Sequence, residues 1–363
     1  MDTLLLLGTT KGLFTLRSND GRDEFELAGA SFPGEEVYAT AVDVRGDRAR
    51  LFCGSVSNHW GPVLRRSDDL GATWSEDQTA ALAFPPGSDV ALARIWQLTP
   101  GPADQPEVVY AGVEPAALFR SDDGGSSFTL VDGLWDHPHR PEWQPGGGGL
   151  CLHTVLVHPT DPDRLLVAIS AAGVYLTDDG GKSWRASNSG IAVGFVPDAP
   201  VLEFGQCVHK VARDAADPER LYLQHHGGIY RSDDGGGSWD AMTSIAGMDF
   251  GFPVVAHPTR ADTAYLLPLD SDEFRCTPDG KCVVWRTTDA GATWEPLTSG
   301  LPQHNAHLTV LRDGFTTDGL DPAGLYFGTR SGEVYGSTDD GDSWRQLASH
   351  LPPILSVRAA RVG

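Results

Sequence analysis

Residues 177–184 read TDDGGKSW, and the same eight-residue phrase returns along the chain. It stands as SDDLGATW from Ser67, SDDGGSSF from Ser121, SDDGGGSW from Ser232, TTDAGATW from Thr287 and STDDGDSW from Ser337, with a weaker copy, SNDGRDEF, from Ser18. The starts lie 49, 54, 56, 55, 55 and 50 residues apart. A fixed period of this length marks a repeat fold in which each unit buries its apolar face against the next. The phrase has the chemistry of a tight β-turn. Ser or Thr and Asp side chains bond backbone N–H groups within their own turn. Gly supplies positive φ without a Cβ clash. The closing Trp or Phe packs between sheets.

Outward from the phrase the pattern stays regular. A strand-like segment runs into it, as in GVYLTDDGG, and another precedes that, such as Arg164–Ile169 or Leu221–Gln224. A third lies further back, such as Leu152–Val157 or Val208–Arg213, and a fourth begins at the Trp. Four short antiparallel strands repeated seven times make an all-β, seven-bladed β-propeller. The predicted blades are 1–30 with 351–363, 31–83, 84–135, 148–190, 204–245, 250–300 and 304–350 of a single domain. Thr3–Gly8 and Ile354–Val362 are expected to pair in one blade and close the ring, which removes the open sheet edge.

These phrases resemble the Asp-box, or BNR-repeat, superfamily, which includes sialidases, xyloglucanases, sortilin-type receptors and the plant photosystem II assembly factor. The chain is also similar to bacterial single-domain propellers labelled glycosyl hydrolase or exo-α-sialidase. The resemblance covers nearly the whole chain. It implies the fold, and it implies that the repeated turns lie on the face away from an active site and hold no catalytic residue. Function does not follow from fold. A sialidase needs three arginines on one carboxylate, a Tyr–Glu nucleophile pair and an Arg-Ile-Pro signature. That signature is absent here and only Arg94 sits at a comparable inner-strand position, so no sialidase residue carries over.

Composition narrows the partners. Lys plus Arg number 27 against 49 Asp plus Glu, a formal charge of −22. Such a surface repels phosphate backbones and anionic lipid, so neither nucleic acid nor membrane is the expected partner. No segment approaches the ~20 apolar residues that span a bilayer. The start, Met1-Asp2 before Leu4–Leu7, lacks a signal-peptide pattern, and the cysteines number only five. A cytoplasmic protein with reduced thiols is expected; Cys276 and Cys282 would staple a loop only in an oxidising compartment.

In this topology the loops between second and third strands, the interblade loops and the starts of the inner strands share the face opposite the repeated turns. Aligning the inner strands on the turns that follow them places Tyr38, Arg94, His153, His209, Phe252 and His307 at one height. Imidazoles converging on a point are ligands for Zn, Mn, Fe or Ni, so His153, His209 and His307 are the expected metal ligands, with Gln206 or Glu114 as a fourth group. Cys151 and Cys207 each lie two residues before a His and share its side of the strand. The same face gathers Lys11, Trp60, Glu114, His225, His226, Asp270–Glu273 and Arg330. The long loop 135–149 adds His137, His139, Arg140, Glu142, Trp143 and four consecutive glycines, Gly146 to Gly149. These glycines precede a strand, so they form no dinucleotide fingerprint and no nucleotide cofactor is expected. His158 and His257 read as turn residues.

Three functions follow. The first is an enzyme, hydrolase or lyase, acting on a small polar or sugar-like molecule: Arg94 holds an anion, Glu114 or His226 moves protons, and Tyr38, Trp60, Gln206, Trp143 and Arg330 bind substrate. The second is a non-catalytic module that recognises a protein or glycan through Trp60, Trp135 and Trp143. The third is a glycoside hydrolase, for which Glu114 with Asp136, Glu142 or Glu273 could supply two carboxylates.

Overall fold

A computed structural model describes residues 1–75, 82–192, 202–243, 245 and 247–363. Seven small antiparallel sheets follow one another around a central channel. Blade two shows three strands, Glu36–Asp43, Arg50–Ser57 and Gly61–Ser67; each other blade shows four. The inner strands of blades three to seven are Arg94–Pro100, Leu152–Val157, Val208–Arg213, Gly251–Ala256 and Phe315–Thr317. Blade one joins the two ends of the chain. Its inner strand, Ile354–Val362, pairs with Asp2–Thr9 from Asp2 opposite Val362 to Thr9 opposite Ile354. The ring is thus closed as expected.

The repeated turns form as their residues dictate. Ser121 Oγ donates to Asp123 Oδ1 at 2.8 Å and accepts the Gly125 N–H at 2.8 Å. Asp123 in turn accepts the Ser127 N–H at 2.8 Å. The arrangement recurs at Ser67, Thr177, Ser232, Thr287 and Ser337. The copy at Ser18 differs: Asn19 Oδ1 accepts the Gly21 N–H at 3.1 Å, and the Ser18 hydroxyl has no hydrogen-bond partner among the described residues. Here Asn in the second place of the phrase captures the backbone locally. The closing rings of Trp184, Trp239 and Trp344 are buried in the seams between sheets.

Near the start of the inner strands of blades two to six, the ladder carries one extra residue. The register shifts fall at Tyr38, at Trp96, at His153, at His209 and across Phe252 and Pro253. A β-bulge re-aims a side chain. Tyr38, His153 and His209 reach the neighbouring blade, while Trp96 donates to Glu114 of its own blade. Tyr38 packs on Trp96 with ring centroids 4.9 Å apart. His153 and His209 reach backbone carbonyls across the next seam.

Deeper in, an ion cluster stands in the channel. Lys210 Nζ bonds Asp313 Oδ1 at 2.8 Å, and Arg358 bonds the same oxygen. Burial alone would raise the Asp313 carboxyl, but the two cations hold it well below the usual range. Two cations around one buried carboxylate keep each of the three charges paired, and removing the carboxylate would leave both cations uncompensated.

Candidate functional site

Three imidazoles were expected to meet on the axis. The structure does not bring them together. His153 is fully buried, its Nε2–H donating to the Val208 carbonyl at 3.0 Å and its Nδ1 facing Thr154 Oγ1 at 3.0 Å. Both nitrogens are engaged, and burial, reinforced by Arg312, holds the ring neutral with a pKa well below the ordinary value. His307 is exposed and touches Phe274 edge-on, with ring centroids 6.0 Å apart. The reason is register. In blades three to seven the turn after the inner strand opens with one backbone bond, from Gly101, His158, Asp214, His257 and Asp318. Counting back five residues gives Trp96, His153, His209, Phe252 and Asp313. Arg94 and His307 are therefore not equivalents of the histidines; Trp96 and Asp313 are.

His209 keeps a different company. Its Nδ1–H donates to the Gly251 carbonyl at 2.6 Å, which fixes the tautomer and turns the Nε2 lone pair outward. That Nε2 lies 3.7 Å from Cys207 Sγ. His226 lies alongside, its ring centroid 5.6 Å from that of His209 and its Nε2 3.3 Å from Asp272 Oδ2. One ligand atom each from Cys207, His209 and His226 all fall within 4.8 Å of one another. The blade-five hairpin builds this: Val208 pairs with His225, and the His226 N–H donates to the Cys207 carbonyl at 3.0 Å. Burial holds His209 neutral, again reinforced by Arg312. Burial also pushes the Cys207 thiol up, opposed by Arg312, an N–H bond from Ala171, and Arg275.

Beside these residues opens a pocket of about 550 Å³, lined by Glu142, Trp143, Gln144, Pro145, Gly146, Ala171, Phe204, Gly205, Cys207, His226 and Asp272. Trp143 is anchored by its Nε1–H, which donates to the Tyr175 hydroxyl at 2.8 Å. Phe204 is half-buried and stacks on His139, centroids 4.2 Å apart. The walls are aromatic and the rim carries carboxylates and an amide.

Across the mouth, Glu114 accepts from Arg94 Nη1 at 3.1 Å and from Trp96 Nε1 at 2.9 Å. The Arg94 guanidinium sits 5.1 Å from the Tyr38 ring centroid. Gly149, at φ +89°, passes so close that a Cβ there would meet Glu114 Oε1 at 2.3 Å. The glycine run thus lets the loop close over this pair. Glu114 and Arg94 are each other's partners, and the pocket lining does not include either. Gln206 is buried, and neither amide atom is bonded among the described residues. Arg330 is exposed, and Trp60 is 79% exposed at a loop tip. Cys276 and Cys282 are free thiols.

Sequence reading missed Arg312, which lies 5.3 Å from the Trp96 ring centroid and donates to Cys151 Sγ at 3.4 Å. It stands outside any regular strand, so no periodicity marks it. Phe204 and Ala171 were missed for the same reason.

No family model matches the chain. It is 26% identical over 294 residues to a xyloglucanase of Hypocrea jecorina (strain QM6a), covering 72% of this chain and 32% of that protein. It is 25% identical over 313 residues to a xyloglucanase of Paenibacillus sp., covering 79% of this chain and 29% of that one. The chain thus spans about a third of the length of the curated relatives it matches. Among solved structures, YCF48 bound to D1 peptide superimposes with a TM-score of 0.52 at 14% identity, covering 95% of this chain and 85% of that one. That likeness concerns the fold.

Proposed function

We propose that the pocket beside Cys207 and His226 is the working site and that it takes a carbohydrate-like, polyhydroxylated molecule for hydrolysis. The observation that carries this is its lining. Half-buried Phe204, with the small part of Trp143 that reaches the surface, offers the apolar wall on which a sugar ring packs, and Glu142, Gln144 and Asp272 stand where hydroxyl groups need acceptors. The similarity to xyloglucanases points to the same ligand class. Glu142 and Asp272 are the proton-carrying groups at the pocket, and they take the acid and base roles that Glu114, held by Arg94 and Trp96, is poorly placed to fill.

The test is calorimetric titration with xyloglucan-derived and cellulose-derived oligosaccharides, alongside an assay for new reducing ends. Binding is expected, weakened about tenfold or more by Phe204→Ala, which removes most of that wall. Release of reducing ends should fall in Glu142→Gln. Binding without cleavage in any condition would reduce the site to a lectin-like one. Absence of binding to every sugar tried would overturn the reading.

A further inference from the structure

We propose that Cys207, His209 and His226 bind one divalent transition ion, zinc in the first instance, at the floor of the pocket, with a fourth coordination position open to the cavity.

The donor set is that of a borderline-soft ion: one thiolate and two imidazoles select zinc over magnesium, calcium or manganese. The spacing agrees. Zinc holds sulfur at ~2.3 Å and nitrogen at ~2.0–2.1 Å, so two tetrahedral ligands of these types stand about 3.6 Å apart. Cys207 Sγ and His209 Nε2 are 3.7 Å apart before any adjustment. Histidine ligands are held by a second hydrogen bond that fixes ring and tautomer. Here the Gly251 carbonyl takes His209 Nδ1–H, and the Asp272 carboxylate stands 3.3 Å from His226 Nε2. Cys207 and His226 line the cavity while His209 is buried behind them, so a fourth ligand would come from the pocket side. Three protein ligands with one open position is the arrangement of a catalytic and not a structural zinc.

Two other places in the molecule serve as controls. Blade four repeats the Cys-x-His step as Cys151 and His153, and Ser170 takes the place of His226, its N–H bonded to the Cys151 carbonyl at 2.9 Å. There the second imidazole is missing, Arg312 occupies the thiol, and His153 spends both nitrogens elsewhere. His257, Asp321 and Asp340 also form a ligand-like cluster on the repeated-turn face. There Arg260 pairs with both carboxylates, so a guanidinium already stands where a cation would go.

Metal binding does not require that the pocket take a sugar, and it is read without one. The full chain, stripped with chelator and dialysed, is titrated with zinc and, separately, with cobalt(II). One equivalent is expected to bind, and the cobalt form should show a thiolate-to-metal charge-transfer band in the near ultraviolet. Cys207→Ser should abolish the band and weaken zinc binding about 100-fold or more. Asp272→Asn, which leaves all three ligands, should weaken it about 10–100-fold. Phe204→Ala should leave it unchanged, which separates this site from the sugar reading. Circular dichroism on each variant guards against misfolding. Failure of the wild type to bind zinc stoichiometrically, or a cobalt spectrum identical in wild type and Cys207→Ser, would overturn the proposal.

Discussion

The His209 imidazole spans the seam between blades five and six to the Gly251 carbonyl, 2.6 Å away. His153 makes the same reach one blade earlier, to the Val208 carbonyl at 3.0 Å. Both rings sit at a bulge, and both act as cross-blade ties. They part only in what the second nitrogen meets: Thr154 for His153, Cys207 and His226 for His209.

His153→Ala therefore should act on stability and not on metal content. It removes a buried ring and leaves a buried carbonyl without its donor. A loss of about 2–4 kcal/mol is expected, measured by urea unfolding, with zinc stoichiometry unchanged.

Asp313→Ala should be severe. Lys210 and Arg358 would be left facing each other in the channel without their carboxylate. Removing one partner of a buried ion cluster costs about 3–5 kcal/mol. Chemical denaturation measures it. A loss under 1 kcal/mol would mean that water solvates the cluster freely.

The repeated turns make stability acid-sensitive. Hydrogen bonds from Thr73 and Ser67 hold the Asp69 carboxyl down at about 2. Burial works upward on Asp123, yet bonds from Ser127 and Ser121 bring it to about 2 as well. Folded pKa values lie below the unfolded carboxylate value of about 3.9. The stabilisation is therefore fully present above pH ~4 and is lost as pH falls toward 2. Thermal melting across that window should drop steeply, and replacing Asp69 and Asp123 by Asn should flatten the drop.

The turns and the ring were legible because their chemistry is local: a Ser or Thr, an Asp and a Gly within eight residues settle a hairpin without knowing what it packs against. The channel mouth was not. A bulge adds one residue to a strand without any mark in its composition, so Arg94 stood in for Trp96 and His307 for Asp313. Cys207 and His226 were both singled out, but their meeting depends on the pairing of Val208 with His225, which no single-strand pattern reveals. Gln206, Arg330 and Trp60 sit on the expected face without joining the pocket lining.

The most direct measurement is an anomalous difference map at the zinc absorption edge from crystals of the zinc-loaded protein. A single strong peak should stand about 2.3 Å from Cys207 Sγ and about 2.0–2.1 Å from a ring nitrogen of each of His209 and His226, facing the cavity bounded by Trp143 and Phe204. A peak at His153 or His307, or none at all at full zinc loading, would contradict the account.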